Sequence, residues 1–212
     1  MSDKESLIQK AKLLEQAERW QDMALCMKQV VEMGGDPLTT EERNLLSVGY
    51  KNMVDSRRLA LLNIASAERK ATDDSETLQA AKWSREKAHV VTELKGICGE
   101  VLVLLDKFLI KRVDTSVVDV ADAVSLESEV FYRKMAGDYF RYLAEISEGE
   151  EKEDMVMGAR ESYKKAHEKA ANLKTTHPIR IGLALILNYS LFHYDVRNDP
   201  QEASRLFCYL QL

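Results

Sequence analysis

Apolar residues recur at steps of three and four along most of this chain, and this period limits the fold more than any other feature of the sequence. Alternation by two, which marks a strand, is sustained nowhere. Only 9 glycines and 3 prolines interrupt 212 residues, which is typical of long helices joined by few turns. We therefore predict an all-α protein. One helical stripe consists of Leu94, Ile97, Cys98, Val101, Leu104, Leu105 and Phe108.

Turn and capping signals place the helix boundaries. Gly34–Gly35 ends one helix, and Thr39 with Glu42 has the spacing of a capping box. Pro178 falls in the first turn of a helix, where its missing N–H is not needed, and Asp199 is placed to cap the last helix. The predicted helices cover residues 3–17, 20–33, 40–71, 75–110, 123–147, 152–173, 177–197 and a last one from 200, with a connection of no clear period at 111–122.

Composition and motifs exclude several classes of function. No run approaches the roughly 18 apolar residues of a membrane span, and a net charge of -5 disfavours nucleic acid, which needs a basic face. Cys26, Cys98 and Cys208 are odd in number and far apart, as expected of reduced thiols in a cytoplasmic protein. No metal-ligand spacing, strained nucleophile turn or Gly-rich phosphate loop occurs. We expect no catalytic residues, no metal and no cofactor, and hence no enzyme.

The spacing K-x-x-x-D-x-x-R occurs twice, and in each copy the three residues share one helix face. Such sets often form surface ion-pair ladders, with about 0.2–0.5 kcal/mol per pair. The functional alternative is a groove in which the cations bind one anion and the aspartates orient the arginines, as in sites for phosphoserine and phosphothreonine. The two sets are Lys51, Asp55 and Arg58, and Lys134, Asp138 and Arg141, with Tyr142 beside the second.

Longer motifs favour the groove. "RNLLSVGYKNMV" resembles the first signature of the 14-3-3 proteins, and "LIQKAKLLEQAERWQDMALCMK", "FYRKMAGDYFRYLAEI", "THPIRIGLAL" and "NYSLFHYD" resemble further segments of that family. The similarity extends to about Ala203. It implies an antiparallel bundle of nine helices, of which about eight are present in this sequence and the ninth is missing. It also implies a single domain over 1–212, in which 1–33 dimerise and 40–212 form the peptide groove.

The resemblance further implies roles for individual residues. The phosphate would be held by Lys51, Arg58, Arg141 and Tyr142. The groove around the peptide would be formed by Lys134, Leu187, Asn188, Leu191 and Asp195. The dimer contact would include Leu13, Ala17, Arg19, Asp22 and Lys87, with Asp22 and Lys87 as an ion pair between subunits.

The sequence also departs from the family pattern. Asp55 stands where the family has glycine, so it either weakens or tunes the phosphate site or belongs to an ordinary ion-pair ladder. Compared with the family pattern, two helices are two residues longer, near Ala88–Val91 and near Ile186–Leu187. Two extra residues turn a helix by about 200° unless a bulge absorbs the insertion.

Two functions follow as alternatives. We predict a phosphoserine- and phosphothreonine-peptide-binding adaptor, a cytoplasmic homodimer that regulates phosphorylated client proteins in signalling. The alternative is a divergent helical dimerisation or scaffold protein with weakened or lost phosphopeptide binding.

Overall fold

The computed structural model describes residues 2–111, 123–170 and 179–208, and all regular structure within these ranges is helical. π-helical segments at Leu105–Ile110 and Phe192–Val196 extend the fourth and seventh helices. The prediction of an all-α fold with about eight helices is therefore confirmed. None of the described helices is both long enough and apolar enough to span a membrane. The helices are α1 Asp3–Gln16, α2 Trp20–Met33, α3 Thr40–Asp73, α4 Thr77–Leu104, α5 Ala123–Ile146, α6 Gly149–Ala170, α7 Ile179–Leu191 and α8 Pro200–Cys208.

The capping signals seen in the sequence form the expected hydrogen bonds. The Thr39 hydroxyl accepts from the Glu42 N–H at 3.2 Å, and the Glu42 carboxylate accepts from the Thr39 N–H at 2.9 Å. Asp199 likewise accepts from the N–H of Glu202 at 3.0 Å, at the start of α8. These contacts satisfy N–H groups that have no partner within the helix. They explain why α3 and α8 begin where the sequence predicts.

Other boundaries differ from the prediction or lie outside the described residues. Helix α6 begins at Gly149 instead of at 152, because Glu150 and Glu151 occupy its first turn, where acidic side chains interact favourably with the helix dipole. Pro178 and most of the predicted connection, at 112–122, are among the residues that the structure does not describe.

The chain forms two compact units, residues 1–100 and 101–212. In the first unit, α2 approaches α3 so closely that a Cβ on Gly49 would lie 3.2 Å from the backbone nitrogen of Ala24. Glu100 of α4 accepts from Tyr50 of α3 at 2.6 Å and from Lys28 of α2 at 2.5 Å. Burial alone would raise the pKa of Glu100, but these two donors lower it, so the carboxylate is charged and joins three helices.

The second unit has a core cluster that includes Val130, Leu185 and Phe192. Helices α5 and α6, which are joined only by residues 147–148, pack through two reciprocal contacts between a glycine and an aromatic ring. A Cβ on Gly137 of α5 would lie 2.7 Å from the Tyr163 ring of α6, and one on Gly158 of α6 would lie 2.8 Å from the Phe140 ring of α5. Each glycine therefore makes room for a ring of the facing helix.

The two π-helical segments occur in the helices that the sequence suggests are lengthened. The first follows α4, which contains Ala88–Val91, and the second follows α7, which contains Ile186–Leu187. A π turn closes its hydrogen bond over i→i+5 and so holds more residues than an α turn. It is thus the kind of bulge that takes up inserted residues, although both segments lie downstream of the proposed insertions.

Candidate functional site

The first K-x-x-x-D-x-x-R set lies on α3 and is partly open to solvent. Lys51 donates to the Asp55 carboxylate, and the side chain of Lys51 is 60% exposed. This is the contact that an ion-pair ladder predicts. Arg58 is half-buried, whereas the adjacent Arg57 points to α4 and bonds Glu93 with its Nε at 3.1 Å.

The second set lies on α5 and is largely buried. The side chains of Lys134, Asp138 and Arg141 are only 17%, 12% and 8% exposed. Lys134 donates to Asp138 Oδ2 at 2.7 Å, and Arg141 Nη1 donates to Glu145 Oε1 at 2.8 Å. Because buried charges are costly unless they are paired and hydrogen-bonded, this set is more than a surface ladder.

Asp138 connects three helices of the second unit. Besides Lys134 of α5, its carboxylate accepts from the Tyr163 hydroxyl of α6 at 2.6 Å and from Asn188 Nδ2 of α7 at 2.7 Å, both on Oδ1. Burial and then the charge of Asp138 raise the pKa of Tyr163 well above its ordinary value, so this hydroxyl keeps its proton and donates. The sequence interpretation included Asn188 but missed Tyr163. The sequence feature that could have indicated Tyr163 is a tyrosine among the apolar positions of α6, because a buried hydroxyl needs a hydrogen-bond partner.

Arg141 is a buried cation with an unused donor. Its guanidinium lies 4.6 Å from the centre of the Tyr142 ring, and it interacts with the Tyr163 oxygen. Burial alone would lower the pKa of Arg141, but the tyrosine oxygens and Asp138 more than offset this and raise it, so the group stays charged. The Nε–H is nevertheless buried with no hydrogen-bond partner. A buried donor of this kind is costly.

The predicted apolar wall lies on α7. Leu187 is 44% exposed and Leu191 is 38% exposed, and their i, i+4 spacing puts them on one strip of the helix. Asn188 belongs to the same turn. Asp195 lies in the π-helical segment after α7, but its side chain is outside the part of the chain that the structure describes.

The predicted dimer residues belong to the first unit. Leu13 is 66% exposed on α1, and Ala17 at the end of that helix is exposed as well. Arg19 donates to Asp22 at 2.7 Å within the same chain, and Lys87 of α4 bonds Glu68 of α3 at 3.3 Å. The ion pair between Asp22 and Lys87 of different subunits stays a prediction.

Together these features define a class of protein: an all-α domain that keeps a charged arginine buried beside two tyrosines. The family model described as 14-3-3 protein matches residues 10–208. Proteins named 14-3-3 protein eta from Bos taurus, Mus musculus and Rattus norvegicus are each 45% identical to the chain over 207 residues, which is 97% of this chain and 80% of each relative. The chain belongs to the 14-3-3 family, whose members are phosphopeptide-binding adaptors and not enzymes.

Proposed function

We propose that this protein binds peptides of client proteins that contain phosphoserine or phosphothreonine, and regulates those clients in signalling. The observation that carries the proposal is Arg141, a guanidinium that stays charged although its side chain is only 8% exposed. A planar donor set of fixed charge is the group that proteins use to bind phosphate. A phosphate at neutral pH carries about -1.5 to -2 charges and three acceptor oxygens, so it suits a charged guanidinium.

The phosphate ligands in this proposal are Lys51, Arg58, Arg141 and Tyr142, as the family resemblance implies. The family match covers all four positions. Each hydrogen bond to a charged group is worth about 1.5–3 kcal/mol, so two arginines and a lysine supply enough energy to separate phosphorylated from unphosphorylated peptides.

The rest of the peptide would meet the groups on α5, α7 and the segment that follows α7. The half-buried Asn188 amide would bond the peptide backbone, the exposed Leu187 and Leu191 would take apolar side chains, and Lys134 and Asp195 would line the same groove. Apolar contact there contributes about 25 cal/mol per Å² of surface removed from water.

The decisive experiment is a fluorescence titration with a generic phosphoserine peptide and its unphosphorylated twin. Arg58→Ala and Arg141→Ala should each weaken binding of the phosphorylated peptide at least tenfold, about 1.4 kcal/mol. Arg57→Ala is the matched control, because Arg57 is directed to Glu93 and should leave affinity unchanged. If Arg58→Ala and Arg141→Ala both bind like the parent, the phosphate lies elsewhere and this assignment is wrong.

The Lys51–Asp55 ion pair favours the second candidate function, a dimerisation or scaffold protein with weakened phosphopeptide binding. Asp55 occupies a donor of Lys51 and places a like charge near the proposed phosphate. If Asp55 tunes the site, Asp55→Asn should raise phosphopeptide affinity several-fold, and the gain should shrink in high salt because screening weakens exposed charges. An affinity that is unchanged in low salt would leave Asp55 as an ordinary partner of Lys51. No binding by either the parent or Asp55→Asn would favour the scaffold.

We also propose a cytoplasmic homodimer formed through residues within about 1–33 and 57–93. The support is the exposed apolar surface of the first unit, where Leu13, Leu59 and Leu62 are all more than half exposed. Rim ion pairs contribute little to such a contact, so these leucines would supply most of its affinity.

A further inference from the structure

Asp138 places a buried negative charge in the unit that contains Arg141, a proposed phosphate ligand. Coulomb repulsion alone would make it unfavourable for binding an anion. Yet its carboxylate accepts hydrogen bonds from three side chains, and two of the three donors, Lys134 and Asn188, are proposed to line the groove. The contacts of Asp138 therefore bear on the peptide site itself.

The first effect of Asp138 is on the amide of Asn188. A carboxylate only accepts hydrogen bonds, so it can face the Nδ2 of an amide but not its oxygen. With Nδ2 held by Asp138 Oδ1 at 2.7 Å, the Asn188 oxygen is directed away from the carboxylate. The amide is thus fixed in the orientation that leaves its oxygen free to accept an N–H of a peptide backbone.

The second effect of Asp138 passes through Tyr163. The hydroxyl proton of Tyr163 points to Asp138, at an oxygen–oxygen distance of 2.6 Å. The lone pairs of the Tyr163 oxygen are then available to the guanidinium of Arg141, with which this oxygen interacts. A hydroxyl free to rotate could instead direct its hydrogen at the cation. Asp138 thus fixes the orientation of the Tyr163 hydroxyl, and the oxygen of that hydroxyl helps to hold the Arg141 guanidinium.

We propose that Asp138 is a positioning residue for phosphopeptide binding, which fixes the Asn188 amide directly and the Arg141 guanidinium through Tyr163. This inference rests on the proposed function. It assigns a ligand-binding role to Tyr163, whose side chain is fully buried and so does not touch a ligand itself.

The test compares Asp138→Asn and Tyr163→Phe with the parent in the phosphoserine-peptide titration. Repulsion alone predicts that Asp138→Asn binds more tightly, because a negative charge has been removed. Positioning predicts at least tenfold weaker binding for Asp138→Asn and a smaller, several-fold loss for Tyr163→Phe. The matched control is Glu161→Gln, which removes a carboxylate of the same unit that pairs with Lys165, and its affinity should equal that of the parent.

Two further measurements separate positioning from a merely structural role. In a double-mutant cycle, the losses in Asp138→Asn and Tyr163→Phe should be less than additive, because both break one connection to Arg141. In the nitrogen-15 NMR spectrum of the arginine side chains, Tyr163→Phe should shift the Arg141 Nε–H signal of the peptide-free protein while the backbone spectrum stays that of the parent. The signal is assigned by its absence in Arg141→Lys.

The outcomes distinguish the inference from the proposed function. A parent protein that binds no phosphopeptide overturns both. A parent that binds, with an Asp138→Asn variant of equal or higher affinity, overturns the inference alone. If Asp138→Asn does not fold, Tyr163→Phe decides: unchanged affinity together with an unmoved Arg141 signal overturns the positioning role, and weaker binding with a moved signal supports it.

Discussion

His193 is a buried residue whose two ring nitrogens both lack a hydrogen-bond partner. Burial lowers its pKa, Glu202 and Asp199 oppose this shift, and Arg197 and Arg160 add to it. Burying an imidazole that has no hydrogen-bond partner costs less free energy when the ring is neutral than when it is charged. The folded protein therefore holds His193 in its neutral form at a pH where the unfolded chain begins to protonate it.

This burial predicts a loss of stability in mild acid. The pKa of a histidine in the unfolded chain is about 6.5, and the pKa of His193 in the folded protein is lower. The contribution of neutral His193 to folding stability is therefore complete above pH 6.5 and is lost as the pH falls below that value. One proton changes the free energy of unfolding by at most about 1.4 kcal/mol per pH unit. In urea unfolding at pH 7.5, 6.5 and 5.5, His193→Phe should show a shallower decline than the parent. Parallel declines would contradict this.

The two sets with K-x-x-x-D-x-x-R spacing show how far single residues could be predicted. Lys51 and Asp55 form the exposed ion pair that their spacing suggests, while Lys134 and Asp138 are buried in a network that includes Tyr163. The spacing determines which residues share a helix face. It does not determine what covers that face, because the covering residues come from α6 and α7, more than 20 positions further along the chain.

At the scale of helices, α5 and α6 depend on the close approach of Gly137 to the Tyr163 ring. An added Cβ would lie 2.7 Å from the ring, and Tyr163 is fully buried, so the ring has no open space to enter. Gly137→Ala should therefore destabilise the protein by about 1–3 kcal/mol, as overpacked cores do. The measurement is the free energy of unfolding in urea.

Gly99→Ala in α4 is the control for Gly137→Ala. A Cβ at Gly99 meets nothing within 4 Å, so the variant should gain up to about 1 kcal/mol from helix propensity. Destabilisation of equal size in both variants would show that the Tyr163 ring is not the cause.

The starts of α3 and α8 followed from the sequence because local capping signals set them. Thr39, Glu42 and Asp199 cap the helices they were expected to cap, because these hydrogen bonds join residues only three positions apart. The π-helical segments had no such signal. Leu105, Leu109 and Phe192 in these segments are buried, and a pattern of buried apolar residues does not distinguish a π turn from an α turn.

At the scale of the whole molecule, fold class and family could both be inferred from the sequence. The period of long helices indicates the fold class, and long motifs indicate the family. The proposed dimer gives a test at this scale. Leu13→Asp should convert the parent dimer to a monomer at about 10 µM, a concentration that corresponds to roughly -7 kcal/mol, because it places a charge in an apolar contact. Sedimentation velocity measures the change.

Met157→Asp is the control for Leu13→Asp. Met157 is 63% exposed, close to the 66% of Leu13, but lies on α6 of the second unit. This variant should stay a dimer. A monomeric parent, or two variants that behave alike, would contradict the assignment of the contact to α1.

The reciprocal packing of Gly137 against Tyr163, and of Gly158 against Phe140, restricts the order in which this sequence can evolve. If a larger residue replaces either glycine first, the intermediate protein has an overpacked core. If a smaller residue replaces the facing aromatic residue first, the intermediate protein has a cavity. For Tyr163 the second route also removes a hydrogen bond to Asp138, so both routes are costly there. Phe140 is only half-buried and carries no such bond. We therefore expect the Gly158–Phe140 pair to vary among descendants of this sequence sooner than the Gly137–Tyr163 pair.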